Sequence, residues 1–184
     1  MGAIQRAVRE QANAARARVS RSFFKTGAGE YGAGDRFLGL AVPAQRRIAR
    51  AYRDLPDAEI KKLLASRWHE ERFIALVILT ERFVRGYAAE RDRIVRWYLS
   101  VIPTSVNNWD LVDATAYKIL GEHVAWRVQE TKRVRLLRLR PRNDHPVEGM
   151  RILDRLARSR NLWERRVAII ATLAFTARCD FAPT

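Results

Sequence analysis

The sequence predicts an all-α protein arranged as an α-solenoid of antiparallel helix pairs, and three observations carry that prediction. Apolar residues recur at helical spacing along most of the chain, as in Phe73, Leu76, Val77, Leu79, Phe83 and Val84. Helical stretches of similar length alternate with short Pro, Gly or Asn punctuation. No stretch has the strict alternation of a strand. Helix pairs of this kind pack only on their neighbours, although no sequence signature repeats. An ordinary helical bundle meets the same three observations.

The elements follow in order. A first helix is read over residues 3–24, ended by the glycine-rich stretch Gly27–Gly34. Pro43 opens a second, 43–54, because proline lacks a donor that the first helical position does not need. A short third covers 57–65, and a fourth runs from Trp68 to Arg85 with Gly86 as its stop. The fifth, 89–102, is closed by Pro103. Asn107 is read as the N-cap of a helix reaching about Val124, and the last two span 147–159 and 162–177. Residues 126–145 stand apart, with seven Lys/Arg against two acids. They read as a helix with a loop tip ended by Pro141, either a phosphate-binding arm or a solvated basic face.

At 184 residues the chain is read as a single domain, 1–184, and 48% apolar content excludes a disordered chain. No run of 18 apolar residues exists to span a membrane. Lys plus Arg number 35 against 20 acids, a net charge of +15, and the cations are mostly arginine. Such a balance is a footprint for phosphate, so nucleic acid is the expected partner. A membrane surface is the poorer match, because the cations are spread along the chain and not gathered beside one apolar helix. Cys179 is the only cysteine, which excludes an internal disulfide or a cysteine-rich zinc site and suits a reducing cytoplasm. Residues 3–25 are Ala/Arg-rich, a composition shared by a transit peptide and by a first amphipathic helix.

Several motifs fail on context. Gly27-Ala28-Gly29-Glu30-Tyr31-Gly32 spells GxGxxG, but a helix precedes it where a dinucleotide site needs a strand. His69-Glu70 has no second histidine four residues after the first, so no zincin site forms. What remains is Asn107-Asn108-Trp109-Asp110-Leu111-Val112-Asp113, where helical spacing puts Trp109 and Asp113 on one face, one turn apart. By chemistry alone Trp109 is open between a core residue and an aromatic platform, and Asp113 between a catalytic group and a partner for Arg165 or Arg166. Asp110 reads as a first-turn carboxylate favouring the helix dipole. Trp68 and Trp163 read as anchors of helix starts.

Four blocks in order carry a resemblance: Tyr31–Gly39 with Pro43, Trp68-His69-Glu70-Glu71-Arg72, Asn107–Asp113 and Asn161–Ile169. With the ending Phe181-Ala182-Pro183-Thr184, they resemble the DNA alkylation repair family of HEAT-like-repeat DNA glycosylases. The resemblance implies a curved solenoid whose concave cationic face cradles duplex DNA. It also implies hydrolysis of the N-glycosidic bond of N3- and N7-alkylated purines, without metal or cofactor, by a cytoplasmic, nucleoid-associated protein. The family's catalytic tryptophan and aspartate fall on Trp109 and Asp113, and its site-facing arginine on Arg166. Arg46, Arg47 and Arg165 are expected to bind DNA. Family members continue through further helices, so an incomplete C-terminal wall is expected here. Ile169, Ile170, Leu173 and Phe175 are then partly exposed and invite self-association. The alternatives are a catalytically impaired DNA-binding protein and a protein-interaction scaffold.

Overall fold

The computed structural model describes residues 2–136 and 148–178, and these are helical, with an isolated bridge between Arg36 and Trp68 as their sole strand-like pairing. The elements are α1 (Ala3–Glu10), α2 (Ala14–Phe23), α3 (Val42–Ala51), α4 (Asp57–Leu64), α5 (His69–Arg85) and α6 (Ala88–Ser105). They continue with α7 (Trp109–Ala116), a π-helical turn (Tyr117–Gly121), α8 (Glu122–Leu136), α9 (Glu148–Ala157), α10 (Leu162–Ala171) and α11 (Leu173–Thr176). Helices α3, α5, α7 and α10 pack side by side in that order, while α4 and α6 lie against α5, and α9 against α8 and α10. The all-α expectation holds.

The centre is α5, whose middle, Phe73–Leu79, is apolar all round because it is covered all round. Ile74, Leu76, Ile78 and Leu79 are fully buried there, and Ile60, Leu63, Ile94, Tyr98, Leu111 and Val112 close over them from α4, α6 and α7. The head of the same helix is polar and equally buried. His69, Glu70, Glu71 and Arg72 are each no more than 3% exposed, so each requires a partner. Glu70 finds three backbone donors: Leu38 N at 3.0 Å, Gly39 N at 2.7 Å and Leu40 N at 3.3 Å. Glu71 pairs with Arg9 of α1 at 2.8 Å, and the Arg9 guanidinium also covers the Trp68 ring at 4.9 Å.

Gly39 makes the loop possible. Its φ is +83°, and a Cβ there would lie 2.2 Å from the Asn13 carbonyl oxygen, so only glycine lets the loop cross the start of α2. At that crossing the helix expected over 3–24 is interrupted. Asn13 caps α2 by accepting from Arg16 N at 2.9 Å and donates its own N–H to Leu38 O at 2.8 Å. An asparagine offering the backbone a local alternative outcompetes continuation of the helix.

Other boundaries move for similar reasons. The N-cap before Trp109 is Asn108, not Asn107, its side chain accepting from Trp109 N at 2.8 Å. Pro103 lies inside the last turn of α6, where it forfeits one helical bond close to the end of the helix. The helix expected to stop near Val124 continues through the π turn into α8. The expected stretch 162–177 breaks at Thr172, and Phe175 is buried at 2%, correcting the expectation that it is exposed. Ile169 (67%) and Leu173 (49%) are exposed as expected. Of segment 126–145, residues beyond Leu136 lie outside the described residues, as does the Phe181–Thr184 ending.

Replacing the Glu70 carboxylate by an amide turns an N–H2 toward amide donors. Glu70→Gln is expected to cost about 2–3 kcal/mol in urea unfolding, the scale of buried hydrogen bonds to a charged group.

Candidate active site

The head of α7 is set by a buried polar cluster that joins three parts of the chain. His69 at the start of α5 places Nδ1 3.2 Å from Asp35 Oδ2 and Nε2 2.8 Å from Asp110 Oδ2. Arg72 donates from Nη2 to Asp35 Oδ1 at 2.7 Å and from Nη1 to the Ser66 carbonyl at 2.8 Å. Asn108 is fully buried and adds a longer contact to Asp35 at 3.4 Å. Burial opposes charge on His69, but its hydrogen bonds to Asp110 and Asp35 prevail, and its pKa is raised above the ordinary 6.5. Burial likewise opposes the Asp35 carboxylate, yet His69, Arg72 and Asn108 hold its pKa below 3.8. Asp110 is thus more than a dipole partner: it accepts from His69 as well as from Leu111 N at 2.8 Å.

A group of rings lies beside this cluster. Phe37 lies 4.7 Å from His69 between centroids, Phe24 lies 5.1 Å from Phe37 and 5.0 Å from His69, and Trp109 lies on Phe24 at 5.5 Å. Phe23 meets Trp109 edge-on at 5.9 Å. Trp109 is only partly buried, and it forms one wall of a cleft of about 510 Å³ with Tyr31, Trp163, Arg165, Arg166, Ile169 and other residues of α9 and α10. Tyr31 and Trp163 pack edge to face at 5.9 Å on the cleft wall.

One turn along α7, Asp113 accepts two hydrogen bonds from Arg166 of α10, Nε to Oδ1 at 2.8 Å and Nη2 to Oδ2 at 2.7 Å. This is the bidentate geometry that arginine makes with carboxylate. It raises the Arg166 pKa, and the pair stays about a third exposed, so both groups are within reach of solvent. Close approach of α10 is permitted by Gly121 in the π turn, where a Cβ would lie 2.4 Å from the Ala171 carbonyl oxygen. The structure therefore brings Trp109, Asp113 and Arg166 together, with the partner for Asp113 that the sequence offered.

The expected DNA-binding arginines fall in different places. Arg165 lines the same cleft, tethered through Nη1 to the carbonyls of Ser159 and Arg160 at 2.8 and 3.0 Å. Arg46 belongs to a second groove of about 610 Å³ between α3, α5 and the α7–π segment, which Arg50, Arg53, Arg85 and Lys118 also line. Arg47 is exposed on α3 outside that lining. Sequence reading missed Phe23 and Phe24 beside Trp109, and it gave His69 no role beyond a rejected metal motif and a place in the Trp68–Arg72 block. The signal available for His69 was four ionisable residues in a row directly ahead of seven consecutive apolar ones, Phe73–Leu79.

Among the described residues no group of three or more His, Cys, Asp or Glu is placed to hold a metal ion, and no helix is long and apolar enough to cross a membrane.

The family described as DNA alkylation repair enzyme matches residues 4–184, and the chain belongs to it. Membership assigns a role in the repair of alkylated DNA, with DNA as the substrate. Searches of curated proteins and of solved structures found no match.

The polar cluster makes stability depend on pH from both sides. His69, with a raised folded pKa, contributes fully below 6.5 and loses its contribution as pH rises through the raised value. Asp35, with a depressed one, contributes fully above 3.8 and loses its contribution as pH falls through the lowered value. Urea midpoints are expected to be highest between these two values and to decline on either side. His69→Gln is expected to flatten the alkaline decline.

Proposed function

We propose that the chain is a monofunctional DNA glycosylase that hydrolyses the N-glycosidic bond of N3- and N7-alkylated purines in duplex DNA. The observation that carries this reading is the Asp113–Arg166 pair, one helical turn from Trp109 beside an aromatic cleft, in a member of an alkylation repair family. An N3- or N7-alkylated purine is already cationic, so it leaves without protonation. What remains is to stabilise an oxocarbenium-like sugar and to admit water. A carboxylate has about four acceptor positions, and Arg166 takes two on Asp113. The other two are free to face the sugar and to orient or deprotonate the attacking water. The Trp109 face attracts the cationic lesion and packs on the sugar. Arg166 fixes the carboxylate and offers its outer edge to a phosphate.

In this reading α3, α5, α7 and α10 are the inner helices of a curved HEAT-like solenoid. Arg46 and Arg47 on α3 and Arg165 on α10 neutralise the DNA backbone. The exposed Leu162, Ile169 and Leu173 supply the surface for the self-association expected from the sequence.

Release of 7-methylguanine from methylated duplex DNA, followed under single-turnover conditions, tests the proposal. Wild-type protein is expected to release it, and Asp113→Asn to lower the rate by about 10²–10³-fold, the scale of losing one electrostatic stabiliser. Because the Asp113–Arg166 pair is partly exposed, the same substitution is expected to cost no more than about 1 kcal/mol of stability. No release by the wild type, with Asp113→Asn indistinguishable from it, defeats the glycosylase reading. Salt-dependent duplex binding without release then marks a DNA-binding protein.

A further inference from the structure

The start of α7 sets where Trp109 stands, and it holds Asp113, one turn on, together with Arg166 of α10. That start has two tethers to the head of α5, and both converge on His69. One is the Asp110 carboxylate, next in sequence to Trp109 and 2.8 Å from Nε2. The other is the ring of Phe24, 5.0 Å from His69 and 5.5 Å from Trp109 between centroids, with Phe37 packed on both His69 and Phe24. We propose that His69, as an imidazolium gripped between Asp35 and Asp110, is the positioning residue that holds the α7 N-terminus, and with it Trp109 and Asp113, in the geometry of the site.

The protonation state decides the grip. An imidazolium donates from both nitrogens, whereas a neutral imidazole donates from one and faces any second carboxylate with a lone pair. Here both nitrogens face carboxylate oxygens, so the neutral ring must release one of them. Asp35 is held independently by Arg72 and Asn108 and is buried. The Asp110 side chain is 18% exposed, and Leu111 N is its other donor among the described residues, so the Asp110 end lets go. The remaining charges around the ring do not substitute for it. Glu70, next on α5, is turned to the backbone amides of Leu38, Gly39 and Leu40. Arg72 is committed to Asp35 and Ser66. Arg16 of α2 lines the same small pocket as His69 and Asp110 without bonding to either. The direction of the His69 pKa, upward against burial, agrees with the doubly donating form.

The catalytic consequence rests on the reading of Trp109 and Asp113 as the reacting pair, while the positioning itself does not. The first measurement is therefore the emission of Trp109, obtained as the difference between the wild type and Trp109→Phe, from about pH 5.5 to 9. A single transition is expected, with a midpoint above 6.5 and absent from His69→Gln. Asp110→Asn provides a second variant should His69→Gln not fold. It keeps an acceptor for Nε2 but removes the charge, and it is expected to move the midpoint down toward 6.5. A flat Trp109 signal in folded protein, or a transition unchanged in either variant, overturns the proposal.

The second measurement is single-turnover release of 7-methylguanine across the same range. The rate is expected to fall by about ten- to a hundredfold along an alkaline limb with the emission midpoint, the scale of small misplacements of reacting groups. His69→Gln is expected to be slower throughout and to lack the limb. Emission that titrates with His69 while no base is released at any pH upholds the positioning and defeats the glycosylase reading. A limb in the release rate that persists in His69→Gln overturns the positioning.

Discussion

Four ionisable side chains lead the most deeply buried helix of this protein, and that single constraint organises much of what surrounds it. An apolar α5 alone would pack equally well in several rotations and translations. Its head does not allow that freedom, since Glu70 must meet three amides, Glu71 must meet Arg9, and His69 and Arg72 must meet Asp35. Each unmet requirement would leave a charge or a polar group in a dry interior, which costs more than most packing errors. The polar head thereby fixes where α1 docks, how the loop from Asp35 to Leu40 is folded, and where α7 begins.

The site inherits its geometry from this arrangement while differing from it in character. The cluster at His69 is buried and organised by burial, and its charges are paired inside the protein, with Arg72 Nε left without a hydrogen-bond partner. Asp113 and Arg166 form a pair that water reaches, as chemistry on a substrate from solvent requires. Beside the cluster, Phe24 bridges His69 and Trp109, and Phe37 packs on both His69 and Phe24. Rigid support on one side and exposure on the other is the combination a reactive carboxylate needs.

Local sequence features made much of this legible. Helical periodicity identified the helices, and the i, i+4 spacing of Trp109 and Asp113 placed both on one face with an arginine from the Asn161–Ile169 block as partner. The long-range features were not legible. His69 reaches Asp35 and Asp110 across 34 and 41 positions, and no local pattern distinguishes a histidine that bridges two aspartates from one that faces solvent. The break at Asn13 was hidden because it depends on a backbone bond to Leu38 and a glycine at position 39, although asparagine itself was a hint. Asn107 and Asn108 are both good caps, and only the buried contact with Asp35 selects the second. Phe175 looked exposed because a helix over 162–177 lacked a further helix to pack on, whereas the chain breaks at Thr172 and Phe175 is buried.

The π turn between α7 and α8 has a consequence for how the two ends of that long helix relate. A π turn accommodates one residue more than an α-helix would, which rotates everything beyond it by about 100° around the common axis. The Trp109–Asp113 face and the face through which Arg127 meets Asp92 are therefore out of phase, although a continuous backbone joins them. In mechanical terms Tyr117–Gly121 is a phase coupler. It lets one half of the rod be indexed to α5 and α10 and the other to α6 and α9, so that neither packing surface dictates the angular setting of the other.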